Sequence, residues 1–148
     1  MSDYIVKIVP KDPLYKVSEQ MLKKAKELLE AKLSCDSTNF ECYDTPAFID
    51  CGSNLERIVC PQCGAVLDFD WWGEAMEQAN EKQFLELETE LPCCQKTVSL
   101  NDLNYYFPCA FACCEITVLN PDFDIENDIV DCIQKILRTE IRVVRAHM

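Results

Sequence analysis

The order of apolar and polar positions divides the chain into two similar outer units and a less regular middle. Residues 4–9 predict a strand, with Tyr4, Val6 and Ile8 on one side and Ile5, Lys7 and Val9 on the other. Pro10 and Pro13 end it. Val17, Met21, Ala25, Leu28 and Leu29 then share one helical face, with Ser18 placed to cap the helix and its end near Leu33. Residues 40–43 predict a second strand, and Thr45-Pro46 and Cys51-Gly52-Ser53-Asn54 read as turns. Near the other end, residues 111–119 predict a strand stopped by Asn120-Pro121. A helix follows, with Asp124 as its cap and Ile125, Ile129, Cys132, Ile133 and Ile136 on one stripe. Glu126 and Asp128 at its start and Lys135 and Arg138 at its end suit the helix dipole. Residues 141–146 predict a last strand.

The middle is weaker in pattern. Residues 55–59 and 65–69 predict short strands on either side of a thiol pair. Residues 72–84 carry a helical pattern through Trp72, Met76 and Ala79. Leu85, Leu87, Thr89 and Leu91 alternate with Glu86, Glu88 and Glu90, which predicts a strand with one apolar and one acidic face. Ser99 and Asp102 frame a single helical turn. Two strand–helix–strand units can build one antiparallel sheet with both helices on one face. The expected fold is therefore α+β: a ferredoxin-like βαβ–βαβ sandwich interrupted by a zinc-ribbon-like, β-rich insert at 60–110. At 148 residues the whole of 1–148 is expected to form a single domain.

The chemistry sits in that insert. Cys60-Pro61-Gln62-Cys63-Gly64 is answered thirty residues on by Pro92-Cys93-Cys94. Zinc takes four ligands in a tetrahedron and thiolates suit it, so Cys60, Cys63, Cys93 and Cys94 are the candidate metal ligands for a structural Zn2+. Gly64 lets the chain turn back behind the first pair. Cys93 and Cys94 are adjacent, and adjacent side chains of an extended strand point to opposite faces, so both reach one ion only if the backbone bends there. Cys109 or Cys51 would be the replacement for Cys94.

Other residues read more plainly. Cys114 and Cys132 fall at apolar positions and behave as small hydrophobes. Trp71 and Trp72 read as packing beside the metal, or as an interface if exposed; Glu86, Glu88 and Glu90 read as a solvated face that a basic partner can meet. Arg142 and Arg145 differ by an odd offset and face opposite sides of the last strand, so together they make no single anion site. No catalytic constellation can be assembled: the single histidine, His147, stands at the C-terminus, and no phosphate loop or Ser-His-Asp arrangement is present.

Charge and cysteine usage narrow the class. The net charge is −12, and it is uneven: residues 34–100 hold three basic against thirteen acidic residues. Nucleic-acid binders need Lys and Arg to neutralise phosphate, so no nucleic-acid partner is expected. Nothing approaches about 18 consecutive apolar residues, and no export signal is visible in residues 1–7, so no membrane partner is expected and the location is read as cytoplasmic. Eleven cysteines, an odd number, without such a signal fit metal binding in a reducing compartment better than disulfides.

With Cys60-Pro61-Gln62-Cys63-Gly64, Pro92-Cys93-Cys94, Ser99-Leu100-Asn101-Asp102-Leu103-Asn104-Tyr105 and Asn120-Pro121 in view, the chain resembles a family of uncharacterised bacterial proteins with a CPxCG…PCC…SLNDLxY pattern. The resemblance covers most of the chain, best over 50–148. This chain has Gln95 where the pattern has glycine, and Cys109-Ala110-Phe111-Ala112-Cys113 where it has Gly-Phe-Ala. The resemblance implies a bacterial cytosolic protein with a thiol metal site and carries no activity. Three functional readings follow. The first is a non-enzymatic, zinc-stabilised module that binds another protein, with a homodimer left open by an exposed sheet face. The second is an acidic immunity- or inhibitor-type protein for a basic toxin or nuclease. The third is a thiol oxidoreductase or metal-dependent enzyme.

Overall fold

The computed structural model describes residues 3–52 and 54–147. Ser53 of the expected 51–54 turn and the first two residues of the segment read for an export signal lie outside the described residues. In chain order the elements are β1 (Tyr4–Pro10), α1 (Glu19–Lys32), β2 (Ser37–Ile49), β3 (Arg57–Val59), β4 (Val66–Leu67), α2 (Phe69–Glu81), β5 (Glu88–Glu90) and β6 (Thr97–Ser99). A 3-10 turn (Leu100–Asp102), β7 (Asn104–Tyr106), β8 (Ala110–Leu119), α3 (Asn127–Leu137) and β9 (Ile141–His147) complete the chain.

The outer strands form one four-stranded sheet in the order β2-β8-β1-β9, and every pairing in it is antiparallel. The middle of the chain supplies a three-stranded sheet, β4-β3-β7, and the two-stranded hairpin β5-β6. Among the described residues the fold is thus α+β, three helices with one four-stranded antiparallel sheet and two small sheets. These residues form two cores. Val6, Ile8, Ile116 and Val118 of the large sheet pack with Leu22 and Leu29 of α1 and with Ile129, Ile133 and Leu137 of α3. Val9, Ile49, Phe111 and Val144 join a second core with Ile58, Leu67, Ala75, Ala79, Leu91 and Leu100 from the middle of the chain. Apolar burial on both sides of the sheet explains why β1 lacks a clean polar face: Lys7 lies buried within it, its Nζ 2.9 Å from Asp50 Oδ1.

Several boundaries differ from the sequence reading, each for a local reason. α1 starts as expected, with Ser18 Oγ accepting from the Met21 N–H at 3.3 Å. β2 runs through Thr45-Pro46 instead of turning there. Its pairing with β8 breaks between Cys42 and Ala47, so Pro46 removes no ladder hydrogen bond, and β2 is an edge strand where proline is tolerated. α2 begins at Phe69 rather than near Trp72 because the Asp68 carboxylate accepts from the Asp70 N–H at 2.8 Å, which also cuts the expected 65–69 strand to Val66–Leu67. It ends before Phe84, as Gln83 and Phe84 are both left-handed, at φ 57° and 56°. That turn consumes the start of the alternating 85–91 segment: Leu85 is exposed, Leu87 and Leu91 are buried, and only Glu88–Glu90 is strand.

The last helix needs two corrections. Asp124 does not cap it. α3 begins after Glu126, and Asp124 instead holds the Arg145 guanidinium with both oxygens, at 3.0 and 3.1 Å. Cys132 is exposed rather than buried, because the buried stripe runs Ile125, Ile129, Ile133, Leu137 in steps of four. That stripe is narrow, and a residue one position before Ile133 is turned about 100° away from it.

Candidate metal centre

Two hairpins carry the four cysteines, and their turns have the same backbone. In the β3–β4 turn the Cys60 N–H donates to Ala65 O at 2.8 Å and the Gly64 N–H donates to Cys60 O at 3.0 Å. In the β5–β6 turn the Leu91 N–H donates to Lys96 O and the Gln95 N–H to Leu91 O, both at 2.9 Å. Gly64 (φ 79°) and Gln95 (φ 63°) occupy matching left-handed positions. Leu91 stands where the first turn has Cys60, Pro92 matches Pro61, and Cys94 matches Cys63. Cys93 falls on the position of Gln62. Adjacent cysteines can therefore face one point because they sit in a tight turn and not in an extended strand.

The result is one group of four sulfurs. The Sγ atoms of Cys60, Cys63, Cys93 and Cys94 all lie within 4.8 Å of one another, and Cys60 and Cys94 are 3.9 Å apart. Four thiolates on zinc at about 2.3 Å would lie about 3.8 Å from each other, so this set is compatible with a tetrahedral zinc site. Cys60 is buried, Cys94 half-buried, and Cys63 and Cys93 are exposed. The Gln62 and Cys63 N–H groups both donate to Cys60 Sγ at 3.3 Å, the second-sphere contact that orients a thiolate.

Electrostatics rank these sulfurs. Burial works to raise the Cys60 thiol, but the N–H groups of Cys63 and Gln62 and the thiols of Cys93 and Cys63 outweigh it and hold its pKa at about 6. Desolvation, then the thiols of Cys63, Cys60 and Cys94, push Cys93 up to about 12. Cys60 thus ionises readily, while Cys93 does so only when positive charge is supplied. A dication supplies that charge, and its binding would release the remaining protons.

The other candidates fall elsewhere. Cys51 and Cys109 pair with each other, Sγ to Sγ 3.4 Å, both buried, and stand outside the four-sulfur group. Burial, then the Cys51 thiol, pushes the Cys109 thiol up to about 12, so Cys109 stays protonated near neutrality. Trp72 is a packing residue: its Nε1–H donates to Tyr105 Oη at 3.2 Å and its ring meets Phe48, Phe69 and Tyr105. Trp71 is half-buried against the same core. Glu86, Glu88 and Glu90 are all exposed, with Glu86 paired to Lys82 at 2.9 Å. His147 lies at the end of β9 against the Tyr4 ring. Arg142 and Arg145 do separate, the first to Asn101 and the second to Asp124.

Sequence reasoning passed over Asn101. It is buried and fully engaged, a polar residue inside an apolar setting, and only the Ser-Leu-Asn-Asp run around it drew attention. No helix among the described residues is long and apolar enough to cross a membrane. Compared with known proteins, the chain matches no family model, no curated protein and no solved structure, so what it does is argued from its own residues.

Proposed function

We propose that this chain is a non-enzymatic, zinc-stabilised module that binds another protein. The observation that carries the reading is the four-sulfur group, with all Sγ atoms within 4.8 Å. Four thiolates fill zinc's coordination shell and leave no open position for substrate, which is the signature of a structural ion. The ion would tie the β3–β4 hairpin to the β5–β6 hairpin and so fix residues 60–110 as an insert. The frame around it is read as ferredoxin-like: two strand–helix–strand units, a β2-β8-β1-β9 order and both outer helices in one core support that assignment.

Protein binding is supported by surface chemistry. Val66, Phe69, Tyr106 and Phe107 are exposed at 68%, 45%, 42% and 50%, all within or beside the small sheet. Aromatic residues at such density suit an interface core. The net charge of −12 favours a basic partner, and an immunity- or inhibitor-type role against a basic toxin or nuclease is the narrower form of this reading. A second copy of the chain is the other candidate partner. The same acidity disfavours nucleic acid.

One observation favours a redox enzyme, the low pKa of Cys60. Against it, two further sulfurs share the site, and the thiol is not at a helix start, as α2 begins only at Phe69. Metal analysis and a melting curve with and without chelator test the proposal, with a salt-dependent pull-down as the partner arm. One zinc per chain and a sharp loss of stability in Cys60→Ser support it. Metal-free protein that melts unchanged after chelation overturns the zinc half, and the lack of any salt-sensitive complex or dimer overturns the binding half.

A further inference from the structure

Arg142 is half-buried on β9, and only one corner of its guanidinium is used. Its Nη1 donates to Asn101 O at 2.9 Å, Asn101 Oδ1 at 3.2 Å and Cys109 O at 3.3 Å. Nη2 and Nε bond to no described residue, and no carboxylate of the described residues lies within ion-pair reach. That is unusual placement in a chain with twenty-six acidic residues. The group that fixes the arginine is itself fixed. Asn101 is buried, its N–H donates to Ser99 Oγ, its Nδ2 donates to Lys11 O at 3.1 Å, and its Oδ1 also accepts from the Phe111 N–H at 2.9 Å. Rigid support of this kind holds a charged side chain ready at no ordering cost when a ligand arrives.

The arginine lines a cleft of about 440 Å³, walled by Asp102, Asn104, Tyr106, Pro108 and Cys109. This is the size of a small-molecule site. A guanidinium edge with two free N–H directions matches a planar carboxylate in bidentate fashion. Asp102 on the same wall repels a doubly charged anion more than a singly charged one, which disfavours phosphate. We propose that this cleft binds a small carboxylate-bearing molecule, held by the free edge of Arg142 and walled by Asn104 and Tyr106. The site shares no residue with the four-sulfur group, so this inference stands apart from the zinc reading, and it meets the proposed protein-binding patch at Tyr106 alone.

The test is a titration of the full, zinc-loaded chain with benzoate, succinate and inorganic phosphate at constant ionic strength, using potassium chloride as the blank. The Arg142 Nε–H and the Asn104 and Tyr106 amide signals are followed by NMR. At least one carboxylate is expected to shift them saturably while chloride does not. Arg142→Lys keeps the charge without the fork and is expected to weaken binding roughly tenfold. Because removing the arginine also frees the Asn101 and Cys109 carbonyls, Asp102→Asn serves as the second variant. It is exposed, leaves the fold's hydrogen bonds alone, and is expected to tighten carboxylate binding roughly threefold or more. No saturable shift with either carboxylate in both wild type and Asp102→Asn overturns the proposal. Binding that Arg142→Lys leaves unchanged overturns it as well, as does a preference for phosphate over both carboxylates.

Discussion

Gly64 and Gln95 hold the same place in two turns of one shape: each is left-handed, and each donates its N–H to the carbonyl four residues back. Glycine meets this conformation without strain, whereas an L side chain pays about 1 kcal/mol or more. A Cβ on Gly64 would touch nothing within 4 Å, so the cost there is purely backbone. Gly64→Ala is expected to lower stability by about 1 kcal/mol and Gln95→Gly to raise it by about 0.5 kcal/mol. Denaturant melts of the metal-loaded variants check both signs.

The packing of the core that Cys60 belongs to depends on one phenol. Tyr105 is buried; its hydroxyl donates to Leu100 O at 2.7 Å and accepts from Trp72 Nε1–H at 3.2 Å. Tyr105→Phe leaves a carbonyl and an indole N–H without their partner. The expected loss is about 1–3 kcal/mol, read from the urea midpoint, with the indole fluorescence of Trp72 changing in the native state.

Burial separates two cysteines that look alike in sequence. Cys132→Ser changes an exposed side chain and is expected to stay within about 0.5 kcal/mol of the parent. Cys114 lies in the helix-side core at 1% exposure, where serine buries an extra hydroxyl. Cys114→Ser is expected to cost about 1–3 kcal/mol, a contrast that thermal melts resolve.

The Asp124–Arg145 pair makes a pH-dependent contribution of defined sign. Burial would raise the Asp124 carboxyl, but the Arg145 guanidinium and the Ile125 N–H outweigh it and hold the pKa below its ordinary range. A depressed acid stabilises the fold above its unfolded pKa of about 3.9 and loses that effect as pH falls through the folded value. Glu115, raised mainly by burial, has the opposite sign and acts against the fold as pH rises. Comparing wild type with Arg145→Met cancels Glu115. The two are expected to differ by less than about 1 kcal/mol at pH 7, since the pair is exposed, and to converge as pH falls through the depressed folded value of Asp124.

The parts of the fold legible in sequence were those where one rule decided the outcome. Ser18 with its apolar stripe gave α1, and the Ser99 turn appeared where its hydroxyl accepts from the Asn101 N–H. The clustering of Cys60, Cys63, Cys93 and Cys94 followed from residue type and paired spacing. What escaped was set by long-range contacts. β6 and β7 are three residues each, too short to show a period, and exist because a partner strand pairs with them. Asp124 looks like a helix cap until Arg145, twenty-one residues on, claims its carboxylate. Pro46 reads as a stop unless one knows that β2 is an edge strand with a break in its ladder. The shared shape of the two sulfur turns was hidden because Leu91 and Gln95 replace the residues that mark the first one.

The most direct measurement is cysteine-by-cysteine alkylation of the native chain, read by mass spectrometry before and after chelation. Cys63 is exposed, as Cys132 is, so exposure alone makes both label together. If the sulfur group grips an ion, Cys63 stays protected while Cys132 labels, and chelation removes that protection as the metal leaves. Equal labelling of the two in untreated protein, unchanged by chelator, would contradict the account.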